Sequence, residues 1–170
     1  MREFSWRRLR KLFLFAVVPV IGIVSPLLVI PTVTSQYGAT GWSAMAIGMS
    51  VGAAAAVFVE LGWGLTGPQR VAGAPVSQRG HLYLLSNATK LSVFVLLSPF
   101  VYAICWFLTP SYAMECALMG VATAAVGLSP AWFFTGTSQP LRILATDSAP
   151  KLVAAGVTAV ALLAGGDLVL

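Results

Sequence analysis

The chain has 170 residues, 58% hydrophobic and only 9% charged, with a mean hydropathy of +0.89 and a formal net charge of +5. An ordinary soluble domain is about 45–50% apolar and about 25% charged, and a soluble globule of this composition would expose mostly bare hydrocarbon. A soluble enzyme or binding module is therefore set aside with the disordered and collagen-like classes, and an all-α, polytopic integral membrane protein is expected.

The chain opens on a basic segment, 1–11, that holds Arg2, Arg7, Arg8, Arg10 and Lys11. The first apolar run, 12–30, follows directly. A signal peptide has the same order of parts, but this run exceeds a signal core and no small-residue cleavage site follows it, so an uncleaved helix is expected. Within it, Pro19, Gly22 and Pro26 lie within eight residues. Each proline removes a backbone donor and crowds the preceding turn, so this helix is expected to bend. Two readings stay open: a static kink filled by neighbours, or a broken helix that reshapes during transport.

Further spans are expected at 42–63, 91–108, 112–134 and 152–170, which makes about five in a bundle over 12–170. The first four are long enough to cross a hydrocarbon core about 30 Å thick at about 1.5 Å per residue. The second carries small residues at every fourth position, Ala44, Gly48, Gly52 and Ala56. Such a stripe lets another backbone approach closely. Residues 64–87, rich in Gly and Pro, read as a structured loop with room for a short surface helix, and 135–151 reads similarly. Between 108 and 112 only three residues intervene, so those spans are antiparallel neighbours. The fifth run reaches only Leu170, so the chain is expected to be incomplete.

Placing the charges orients the bundle. Arg70, Arg79 and Lys90 fall between spans two and three, and Arg142 and Lys151 between spans four and five. The other connections hold no Lys or Arg. With five alternating spans every positive charge lands on one side, which the positive-inside rule makes cytoplasmic, together with the N-terminus. These charges flank apolar runs rather than aromatic-rich polar stretches, which suits an inner-leaflet surface and no nucleic acid.

Few side chains suggest chemistry. There is one histidine, His81, and no metal-ligand cluster, phosphate loop or catalytic constellation, so no enzyme, metal or cofactor is expected. Glu60 follows the small-residue stripe by one turn. An acid at that depth is expensive, which makes it a candidate proton or sodium site, a latch to a loop arginine such as Arg70, or a residue reaching headgroup water. Glu115 lies near the outer end of span four. Lys90 is expected to precede span three and snorkel to the interface; a helix starting near Leu82 would instead carry it into the bundle, where it would attract an anionic substrate. Cys105 and Cys116 are equidistant from the turn between them, and are expected as two buried thiols rather than a bridge. Trp42, Trp63, Trp106 and Trp132 fall near span ends, as interfacial anchors do.

Residues 62–72 read GWGLTGPQRVA, and 130–140 read PAWFFTGTSQP, followed by Arg142 and by Asp147 to Pro150; 37–42 read YGATGW. With Trp132-x-x-x-Gly136 as the best marker, these segments resemble the polysaccharide-transporter branch of the multidrug/oligosaccharidyl-lipid/polysaccharide exporter superfamily, over most of the chain. The resemblance implies part of the N-terminal bundle of a twelve- to fourteen-helix exporter in a bacterial inner membrane. It implies a flippase for lipid-linked oligosaccharide that works by alternating access, coupled to protons or sodium. Partners so implied are the lipid-linked substrate, the bilayer, and a missing C-terminal half or other polysaccharide-assembly proteins. Substrate-binding or gating residues would be Glu60, Arg70, Lys90, Trp132 and Arg142. The alternatives are a multidrug/cation antiporter of the same superfamily, which would want acids in its cavity, and a small membrane scaffold that transports nothing.

Overall fold

The structure, a computed structural model, describes residues 6–163, and every element among them is helical. Three stretches are long and apolar enough to cross a membrane: Tyr37–Gly73, Val76–Leu108 and Pro110–Gly136. The first helix, α1, covers Trp6–Glu60 with one residue outside helical geometry, Gly38 at φ 65°. Only glycine adopts that value without strain, so the chain turns there while continuing as helix on both sides. The side chains of Pro19, Gly22 and Pro26 lie outside the described residues; the backbone through all three is helical. Residues 164–170, the end of the expected fifth span, also lie outside them.

The expected loop at 64–87 is almost wholly helical. Helix α2 spans Trp63–Gly73 and α3 spans Val76–Leu108, separated by two residues. Helix α3 thus begins fifteen residues before the expected start of span three. Pro75 sets its N-terminus, as proline does where the amide would be unpaired anyway. The residues that lowered the local hydropathy, Gln78, Arg79, His81 and Asn87, interrupt no helix. At about 1.5 Å per residue α3 is about 50 Å long, against a hydrocarbon core of about 30 Å. Its apolar part, from Leu91 on, is by itself about long enough for such a core, and the earlier turns make up the excess length.

Span four is interrupted rather than continuous. After a short 3₁₀ turn at Pro110–Tyr112, α4 (Ala113–Ala124) tightens into a 3₁₀ segment over Ala125–Leu128 and stops. Ser129 is extended (φ −49°, ψ 132°), as a residue before proline is pushed to be. Helix α5 (Ala131–Gly136) then restarts the chain. The expected loop at 135–151 is likewise helical. Helix α6 (Pro140–Ile143) runs through a π-helical segment, Leu144–Ser148, into α7 (Ala149–Leu163).

The bundle around α4 is held by small-residue packing. Helix α4 lies against α1 and α3, and the stripe on α1 carries the contact: a side chain at Gly48 would strike the Cys116 carbonyl, and one at Gly52 the Gly120 carbonyl. Ala44, Ala55, Val101, Cys105, Cys116, Ala117 and Ala124 form the core there. Both cysteines are buried free thiols, in side-chain contact with each other. Leu91, Val95, Leu96, Phe100, Ile104 and Phe107 of α3 stay exposed, a face suited to hydrocarbon.

Candidate functional site around the α4–α5 break

One face of α3 runs from the core to the site. Cys105, Val101 and Phe94 are its apolar part; Lys90, Ser86 and Tyr83 continue the three- and four-residue spacing toward the N-terminus. The expectation that Lys90 snorkels is corrected here. Because α3 begins at Val76, Lys90 lies mid-helix and is 1% exposed. Its Nζ donates to the Ser129 carbonyl at 3.2 Å. That carbonyl is freed by the break before Pro130, so a cation caps a helix end whose own ladder has stopped.

Ser129 connects onward. Its hydroxyl donates to Asp147 Oδ1 at 2.7 Å and accepts the Ala131 amide at 3.3 Å. Asp147 Oδ2 in turn accepts Lys151 Nζ at 2.9 Å, an i,i+4 pair and the one ion pair among the described residues. Lys90, Ser129, Asp147 and Lys151 therefore tie α3, the α4–α5 break and α7 together. On the other side Glu60, the last residue of α1, lies within electrostatic range of Lys90 without closing an ion pair, its carboxylate beside Gly64. Of the three readings of Glu60, the latch to Arg70 is not formed among the described residues, and Lys90 is a cation near Glu60.

Arg70 belongs to a second layer, built of rings. Its guanidinium lies over Trp63, 5.6 Å from the ring centroid. Trp63 packs on Trp132 at 5.0 Å, Trp132 on Phe133 at 5.7 Å edge-on, and Phe133 on Phe134 at 5.7 Å. Arg142 closes the series, 5.9 Å from the Phe134 centroid, and Tyr83 of α3 packs on Phe133 at 5.0 Å. The result is an aromatic ladder with an arginine at each end. Two close approaches fix it: Trp132 covers Gly67, and Gly136 lies on the Pro68 backbone, leaving no space for a side chain at either glycine.

Trp132 was expected among interfacial anchors, and this is corrected: it is 4% exposed, enclosed between α2 and α5. Its Nε1 and the Ser86 hydroxyl are buried without a hydrogen-bond partner. Leaving such a group unpaired costs about 1–3 kcal/mol, which marks this end as less than fully satisfied.

Of the expected site residues, the structure brings Trp132, Arg70 and Arg142 into one ladder, and Lys90 and Glu60 into one neighbourhood above it. Sequence reasoning missed Ser129 and Asp147 as members. The dipeptide Ser129-Pro130 was the available signal for a helix stop with a free carbonyl, and Asp147 with Lys151 showed i,i+4 spacing. Among the described residues no group of three or more His, Cys, Asp or Glu could hold a metal ion.

No known family model matches the chain, and neither a curated protein nor a solved structure does. The resemblance stated above rests on its own segments, and two of these, 62–72 and 130–140, are the pair that pack against each other in the ladder.

Proposed function

We propose that the chain is part of a flippase that moves a lipid-linked oligosaccharide across a bacterial inner membrane by alternating access, with its N-terminus cytoplasmic and five spans in this part. The observation that carries the reading is the site itself. The two segments that resemble polysaccharide transporters are widely separated in sequence, yet they form one arginine-ended layer directly beside a buried lysine. Exposed guanidiniums at Arg70 and Arg142 suit a pyrophosphate, which arginine binds bidentately. Lys90, with one neutral acceptor and one nearby carboxylate, has two alternative partners, as a gate between states requires. Glu60 is the group placed for coupling to protons or sodium. The cation-antiporter alternative wants acids inside a cavity; the described acids, Glu60, Glu115 and Asp147, lie toward the ends of the expected spans instead.

The test is export in cells whose surface polysaccharide depends on this protein. Arg70→Ala and Glu60→Gln are each expected to lower surface polysaccharide while the protein still inserts at normal level. Normal polysaccharide with both changes together would overturn the assignment.

A further inference from the structure

We propose that the buried face of α3 at Ser86 and Lys90 binds a small monovalent anion, chloride, held by the Lys90 ammonium and the Ser86 hydroxyl. The site shares Lys90 with the gate described above but does not rest on what the chain transports.

Lys90 and Ser86 stand one turn apart on one face of α3, and both are almost wholly enclosed, at 1% and 0% exposed. Residues so spaced have Cβ atoms about 5–6 Å apart. A buried ammonium is ordinarily paired with an anion. Among the described residues Lys90 is not: Glu60 is in electrostatic range but closes no ion pair. The one hydrogen bond of Lys90 goes to the neutral Ser129 carbonyl, which leaves its charge and two of its three N–H groups to be met. Ser86 is open in the same way. Thr89, Ser92 and Ser98 of the same helix each donate to a carbonyl one turn back, the usual recourse of a hydroxyl in a helix. The Ser86 hydroxyl makes no such bond and is buried without a partner, so it is free to donate on the face it shares with Lys90.

The opposite wall carries a further donor. Lys90 meets Ser129 and Tyr83 meets Phe133, so α3 and residues 129–133 pass each other in opposite directions. Ser86 falls between these two contacts on α3, and Trp132 falls between them on the facing segment. Its Nε1 is the other buried donor without a partner. Between the two contacts, then, an ammonium, a hydroxyl and an indole N–H all have a proton to give. Chloride accepts from each of them and supplies the charge that Lys90 lacks. A water would satisfy the hydrogen bonds and leave that charge uncompensated, while a phosphate brings bulk to residues that are almost wholly enclosed. Glu60 is the competitor, because its carboxylate would displace the anion on closing onto Lys90. Chloride thus favours the arrangement in which Lys90 stays on Ser129.

The experiment is a chloride titration of the full chain in detergent, with gluconate holding the ionic strength constant, read as the thermal-unfolding midpoint. A saturable rise with chloride and none with gluconate is expected. K90M, which keeps the buried volume without the charge, should abolish the rise. S86A should raise the chloride concentration needed for half the effect by roughly tenfold, as loss of a hydrogen bond to a charged group does. E60Q, which removes the opposing carboxylate, should lower it by roughly fivefold. R79Q is the control: its Nε–H is held by the Ala74 carbonyl at 3.1 Å, and the response should stay intact. Each variant is first checked for an unchanged elution profile; if K90M fails that check, S86A and E60Q decide, since they move the response in opposite directions. Equal effects of chloride and gluconate, a full response in K90M, or a response that neither S86A nor E60Q alters would each overturn the proposal. No saccharide or ion gradient enters the measurement, so its failure and a failure of the export test are separate results.

Discussion

The two ends of the bundle solve the same packing problem with opposite materials. At one end α1 and α4 approach until a glycine faces a carbonyl, and the space is filled by alanine, valine and two thiols. Where lipid removes the hydrophobic drive between helices, such close contact is what holds them. At the other end the filling is large and polar: two tryptophans, two phenylalanines, a tyrosine, a buried lysine on the Ser129 carbonyl, and Asp147 on the Ser129 hydroxyl. Small-residue packing has one best arrangement and resists change. A layer of rings and charges with two buried polar atoms unpartnered is less completely satisfied. The difference sets close apolar packing at one end against incomplete polar pairing at the other.

Substitutions can test that division. The largest effect is expected from Trp132→Ala, which removes the centre of the ladder and leaves a cavity between α2 and α5. A loss of about 3–5 kcal/mol is typical for such a truncation, read as a fall in the detergent-unfolding midpoint; an unchanged midpoint would show that the ladder does not organise that end. Next comes Gly48→Val at the α1–α4 contact, where the new side chain meets the Cys116 carbonyl. Overpacking of this kind costs about 1–3 kcal/mol. Gly73→Val, where open space surrounds the site, is the control, and equal loss from both would break the account of close approach. The smallest effect belongs to Lys151→Ala, because an i,i+4 ion pair whose lysine is exposed contributes about 0–1 kcal/mol. A loss as large as that from Trp132→Ala would mean that the tie through Asp147 carries far more than its exposure implies.

The helical class and the apolar core of each central span were legible because hydropathy reports burial in lipid directly. The small-residue stripe was legible for a related reason, since glycine at four-residue spacing has few other uses in a spanning helix. What hydropathy could not show was where helices end. It falls at Gln78 and Arg79 although α3 continues through them, so Lys90 was expected at a boundary and is found mid-helix. The break at Ser129 lies inside an apolar run and left hydropathy unchanged; only its proline signalled it. The ladder was not legible at all. Its halves, 63–70 and 132–142, are brought together by α3 and α4, and no local pattern at either segment encodes that meeting. Nor did position near a span end distinguish Trp132, which is enclosed, from Trp106, which is exposed.

The length of α3 has a mechanical consequence. A rod about 50 Å long through a slab about 30 Å thick makes a lever with unequal arms, and the slab is its fulcrum. Tyr83 is in the less apolar first turns of the rod and touches the ladder through Phe133, while Cys105 is in its apolar part and packs in the core shared with α4. Any tilt of such a rod about its middle moves the two contacts in opposite directions, and the one against α4, where small residues pack closely, yields least.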